Sequence, residues 1–244
     1  MIERIEEDCL VKILNTGSNV QTSLLYLETG QLPARFQIDI MMLNFLKYIL
    51  HQDKNSLMSR FFWAQSLHPT RGDWVSNVKK ILIKIDFDIS FEEIILMKIM
   101  TFKKTVQSKV RKAALKYLLS KRKSKGKDIV YGSTLECQGY LLPSNILTLQ
   151  DQISLFSYRT RMNDLKYNFS GNQPVSDKCK CGIDMTNIHL YECKHLNSSI
   201  KEVPYNNIFS GRICELKYLI EILNENLKKH EQYTQAQDIN LLSR

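Results

Sequence analysis

A chain of 244 residues with 43% hydrophobic side chains can bury one large or two modest cores, which excludes a disordered tail. Lys and Arg outnumber Asp and Glu by 34 to 25, and the resulting charge of +9 suits a polyanionic partner, nucleic acid first, better than an acidic protein or a neutral metabolite. No apolar run nears the roughly eighteen residues of a membrane span. Met1 to Glu7 resembles neither a secretory leader nor an Arg- and Ser-rich transit sequence, so the nucleus or cytoplasm is the expected location.

Only nine glycines and five prolines interrupt the chain, and apolar residues recur mostly at helical spacing, so the expected class is mostly α. A first helix is predicted over Glu3 to Asn15. Ser18-x-x-Gln21 resembles a capping box for a second, Thr22 to Thr29, closed by Gly30 in the left-handed conformation that favours glycine. Pro33 is expected in the first turn of the next helix. From Arg35 to His51, Phe36, Ile40, Leu43, Leu46 and Ile49 form a broad apolar face, which makes this the central core helix. Asp53 and Ser56 are candidate caps for a helix through Phe61 and Phe62 that stops at His68-Pro69. Asp73 caps the next, with Val78, Ile81 and Leu82 inward. Ser90-x-x-Glu93 is a capping box leading through Ile94, Ile95, Met97 and Met100. Trp63 and Trp74 read as packing residues, and His51 and His68 as helix-end side chains.

From Thr101 to Lys127 the chain carries Lys103, Lys104, Lys109, Arg111, Lys112, Lys116, Lys121, Arg122, Lys123, Lys125 and Lys127, with no Asp or Glu. This one segment exceeds the net charge of the whole chain. Val106, Val110, Ala114 and Leu118 keep an apolar stripe, so a helix here packs on the core and turns a basic face outward. Crowded like charges destabilise a helix, and a phosphate backbone relieves them. A solvated face or an import signal at Lys121 to Lys125 is the plainer alternative. Lysine outnumbers arginine, which points to phosphate contact more than base reading.

Residues 1–127 are thus read as a helical domain ending in the Lys-rich helix, 128–144 as a connecting segment, and 145–244 as a second part. Thr148-x-x-Asp151 caps a helix through Leu155, Phe156 and Tyr158. Then comes Cys179-x-Cys181-x7-His189-x3-Cys193, three thiols and an imidazole in fifteen residues, the ligand set of a closed tetrahedral zinc site. Gly182 turns the backbone under the metal, and His189 and Cys193, four apart, share a helix face. His195 is an alternative fourth ligand and a disulfide an alternative chemistry, although Cys179 and Cys181 are too close for easy mutual pairing. With all four positions filled by protein the zinc is structural. Lys178, Lys180 and Lys194 ring this knuckle, and Tyr167 and Phe169 precede it, an interleaving that suits single-strand binding. A closing amphipathic helix, Ile213 to Leu227, gives way to a frayed end from His230.

Three strings carry a family resemblance: Leu25-Tyr26-Leu27-Glu28-Thr29-Gly30-Gln31-Leu32-Pro33, Gly72-Asp73-Trp74, and Tyr158-Arg159-Thr160-Arg161-Met162 shortly before the knuckle. In this order they resemble the C-terminal region of reverse transcriptases from non-LTR retrotransposons, the part after the thumb: a helical linker domain, a Cys-Cys-His-Cys zinc knuckle and a closing helix. The resemblance implies a module that holds template RNA or target DNA. It implies zinc on Cys179, Cys181, His189 and Cys193, and Arg159 and Arg161 on the nucleic-acid side. No adjacent Asp-Asp pair supplies polymerase metals, and nothing resembles an endonuclease, so neither polymerase nor nuclease activity is expected. An upstream reverse transcriptase domain is the expected partner if the chain is a fragment. The alternative is a zinc-stapled protein-interaction module, such as a domesticated retroelement fragment.

Overall fold

The computed structural model describes residues 2–16, 20–122, 131–142, 146–160, 178–196, 204–208 and 213–242. Ten α-helices lie among them: α1 (Ile2–Ile13), α2 (Thr22–Thr29), α3 (Ala34–Leu50), α4 (Leu57–Leu67), α5 (Trp74–Lys84), α6 (Phe91–Leu96), α7 (Ile99–Lys121), α8 (Leu149–Thr160), α9 (Asn187–Glu192) and α10 (Ile213–Leu242). The one extended pairing among these residues is an antiparallel bridge between Lys178 and Asp184, so the fold is mostly α. No described helix is long and apolar enough to cross a membrane. The chain divides into two compact units, one of Met1–Asp8, Thr29–Lys121 and Tyr131–Glu136, the other of Cys9–Glu28, Arg122–Val130 and Cys137–Arg244. This division differs from a cut after residue 127, because residues 9–28 belong with the C-terminal unit.

In the first unit α3 is central and packs against α4, α5, α6 and α7. Helix α7 supplies Phe102, Val106, Val110 and Ala114 at four-residue steps, and all four are fully buried. Caps follow the sequence signals. Ser56 accepts from the Ser59 N–H at 3.2 Å and Asp73 from the Ser76 N–H at 2.6 Å. The reciprocal box of Ser90 and Glu93 is complete. Asp53 instead accepts from the Asn55 N–H at 2.7 Å and stabilises the turn before α4. His51 and His68 close α3 and α4. Trp74 packs edge-on against Phe45 and Phe62, as a packing residue does.

Two local readings change. Pro33 is the residue before α3, not inside its first turn. The place of a capping side chain is taken by α1, where Glu6 Oε2 accepts from the Ala34 N–H at 3.0 Å and Glu3 Oε1 from the Arg35 N–H at 3.3 Å. Second, the segment after Ser90 is two helices, broken at Met97, whose ψ of 135° is extended. At this break Lys47 on α3, only 3% exposed, donates to the carbonyls of Ile94, Ile95 and Met97. A buried ammonium satisfies acceptors that a helix C-terminus leaves open. Lys47→Met keeps the bulk and removes these donors. It is expected to lower unfolding stability by about 1–3 kcal/mol, read as a lower urea midpoint; an unchanged midpoint would count against this role.

In the second unit α10 packs against α8, α9 and the single turn at Tyr205–Ile208. It runs through Leu242, well past the expected fraying point. His230 is buried, and Lys229 pairs with Glu225 one turn earlier at 2.6 Å. Beneath α8 lies a buried ion pair. Arg159 donates from Nε to Glu28 Oε2 at 2.9 Å and from Nη2 to Oε1 at 3.2 Å, and its Nη1 reaches the Ile208 carbonyl at 2.7 Å. The Tyr140 hydroxyl donates to the same carboxylate at 2.7 Å.

Candidate metal centre and basic face

The knuckle begins as a tight hairpin. The Cys179 N–H donates to the Ile183 carbonyl at 2.9 Å and the Gly182 N–H to the Cys179 carbonyl at 2.8 Å, with Gly182 at a φ of 86°. That left-handed angle is the reason for glycine here. Thr186 then caps α9 by accepting from the His189 N–H at 3.0 Å, and the Cys193 N–H ends the helix on the His189 carbonyl at 2.8 Å. The hairpin therefore presents Cys179 and Cys181, and one helical turn presents His189 and Cys193.

Their donor atoms converge. Cys179 Sγ lies 3.5 Å from Cys193 Sγ, Cys181 Sγ 3.2 Å from His189 Nε2 and 4.0 Å from Cys193 Sγ, and all four atoms fall within 4.8 Å of one another. Ligands about 2.0–2.3 Å from a tetrahedral ion stand about 3.3–3.8 Å apart, so the cluster has the dimensions of a metal site and the donor chemistry of one for zinc. His195 is exposed and stands outside the cluster, which leaves His189 as the fourth donor. The sulfurs are not bonded to one another. Burial pushes the Cys179 thiol up to about 12, whereas hydrogen bonding from the Ile183 backbone lowers the Cys181 thiol below its usual range. Thiolate ligation at Cys179 thus depends on a cation to replace its proton.

The knuckle is docked, not free. Met185, Leu190 and Tyr191 are buried, the Asn187 side-chain amide donates to the Tyr158 carbonyl of α8 at 3.0 Å, and that of Asn226 on α10 donates to the Leu190 carbonyl at 2.8 Å. Lys178, Lys180 and Lys194 remain exposed around the hairpin.

On α7, Lys103, Lys104, Lys112, Lys116 and Lys121 are exposed, as the amphipathic pattern requires. Two neighbours are engaged internally. Lys109 donates to the Asp86 carbonyl, and Arg111 donates to the Leu135 carbonyl at 2.7 Å and to that of Gly30 at 3.4 Å. Arg122 is half-buried at the end of α7. Lys123, Lys125, Lys127, Arg161, Tyr167 and Phe169 lie outside the described residues, as do Ser18 of the capping box and Pro143. Arg159 departs from expectation. It is 3% exposed with its charge spent on Glu28, so it is a core residue and not a contact for phosphates. Sequence reading also missed Thr186, whose spacing to His189 is a capping signal, and Lys84, which shares a groove with the α7 lysines.

Compared with protein-family models, with characterised proteins and with solved structures, the chain shows no match in any of the three.

Proposed function

We propose that the chain is a zinc-stapled nucleic-acid-binding module, of the kind found at the C-terminal end of non-LTR retrotransposon reverse transcriptases, that holds template RNA or target DNA in the nucleus or cytoplasm. The reading is carried by one observation: the exposed side of α7 is studded with lysines while its opposite side is fully buried. Lysines in such a row act as phosphate contacts and steer a polyanion by charge. Zinc on Cys179, Cys181, His189 and Cys193 supplies folding energy to a hairpin and one helical turn too short to build a core. In this reading the chain binds and positions but does not itself polymerise or cleave.

Binding to structured RNA and to nicked duplex DNA, followed by fluorescence anisotropy across a salt series, tests the proposal. For six contacts to duplex phosphates, log affinity should fall against log salt with a slope of about −5. Absence of binding at low ionic strength, or a flat salt series, overturns it. A second reading, a protein-interaction module, draws on Met41, Phe45 and Tyr48, which expose an apolar strip at helical spacing on α3. That strip predicts association insensitive to salt.

A further inference from the structure

A groove of about 630 Å³ runs between the end of α5 and one side of α7. Five lysines line it, Lys84, Lys104, Lys109, Lys112 and Lys116, against one acid, Asp86. Two of the five are already satisfied. Lys84 pairs with Asp39 at 2.6 Å and lies 4.2 Å over the Phe36 ring, and Lys109 caps the Asp86 carbonyl. The ammonium groups of Lys104, Lys112 and Lys116 have no ion pair among the described residues. Lys112 and Lys116 are one helical turn, about 6 Å, apart along the axis, and Lys104 to Lys116 spans about 18 Å. The Ser108 hydroxyl lies in the same lining.

We infer that this groove seats a run of adjacent phosphoryl groups, contacted by Lys104, Lys112 and Lys116, with Asp86 opposing the ligand from the facing wall. Unpaired cations held side by side repel one another, and a ligand with several negative charges relieves all of them at once. Lysines without arginine forks offer point charges, which suit phosphate oxygens in varied orientations and read no base. The groove is open to solvent along its length, which suits an extended run of phosphates more than an enclosed small molecule. Taking those phosphates from a nucleic-acid backbone rests on the function proposed above; a short inorganic polyphosphate offers the same chemistry.

The full chain is titrated against a fluorescein-labelled oligouridylate, with sodium tripolyphosphate as the second probe. Lys112→Gln/Lys116→Gln is compared with Lys54→Gln/Lys98→Gln, an equal loss of charge at exposed sites outside the groove. The groove pair is expected to weaken oligouridylate binding about tenfold at low salt and to reduce the salt slope by about 1.4, twice the single-strand increment. The control pair is expected to stay within about twofold of the parent. Asp86→Asn is expected to tighten binding; Asp86 has a φ of 53°, a conformation asparagine also adopts, so the backbone is preserved. Equal melting temperatures for the parent and the variants, without ligand, exclude misfolding. If the two pairs weaken oligouridylate binding alike, the groove inference fails while nucleic-acid binding stands. If oligouridylate, structured RNA and nicked duplex all fail to bind but tripolyphosphate raises the melting temperature of the parent and not of the groove pair, the groove stands and the nucleic-acid reading fails. If none of these probes binds, both fail.

Discussion

Replacing Glu28 with Gln is expected to lower unfolding stability by about 3–5 kcal/mol, among the largest effects of any single substitution in this chain. Glu28 and Arg159 are 0% and 3% exposed in their side chains, so the guanidinium left behind has no access to water. It keeps the Ile208 carbonyl and gains at best one neutral amide oxygen in place of the carboxylate, beside an NH2 group that donates where an acceptor stood. The Tyr140 hydroxyl is left with a weaker neutral acceptor. Arg159→Met alone should cost a similar amount, since it strands a buried carboxylate. The double variant Glu28→Leu/Arg159→Met should recover much of the loss, because an apolar pair of similar volume avoids the desolvation cost of both charges. Urea midpoints of the three variants measure this. An E28Q midpoint close to the parent would show that solvent reaches the pair after all.

The second large effect concerns the candidate metal centre of Cys179, Cys181, His189 and Cys193. Structural zinc sites of this donor type contribute about 10–16 kcal/mol of apparent binding free energy at neutral pH, far more than a hairpin and six-residue helix gain from packing. Chelation, or Cys181→Ser with His189→Ala, is therefore expected to abolish amide protection across α9 and the hairpin while amides of α3 and α7 exchange as before. Stoichiometric metal in the parent and its loss in the double variant complete the test. Loss of protection in the first unit as well would contradict the division into two units. Thiol alkylation gives an independent readout. After chelation Cys181 should react before Cys179 and Cys193, because it is partly exposed and its thiol is lowered, whereas Cys179 is buried and raised.

What could be read in the residues was local. Helix α2 begins and ends where Thr22 and Gly30 say it does, the caps at Ser56, Asp73 and Ser90 are short-range hydrogen bonds written in the order of the chain, and the i, i+4 spacing of His189 and Cys193 survives as one turn of helix. What could not be read needed a partner far away. Nothing near Met97 announces a break whose open carbonyls are satisfied by Lys47, fifty positions upstream. Nothing near Arg159 or Arg111 distinguishes an arginine facing solvent from one spent on a carboxylate or a carbonyl.

The strings behind the family resemblance take on a physical meaning in the same way. Glu28 of the first and Arg159 of the third bond to each other, and Gly72-Asp73-Trp74 combines a left-handed turn with a cap and a packing indole. Their roles here are to build the fold. In the function proposed above, contacts to a partner fall instead to the exposed lysines of α7.

The Glu28–Arg159 pair also bears on how the protein emerges during synthesis. Its members are 131 positions apart, and Arg159 further needs the Ile208 carbonyl. At about 5–20 residues per second, roughly ten to forty seconds separate translation of Glu28 from that of Ile208. Until Ile208 has been made, the buried partners of Arg159 and Glu28 are incomplete, whereas every residue of α3 to α7 has been made by Lys121, before the Cys179 hairpin is translated.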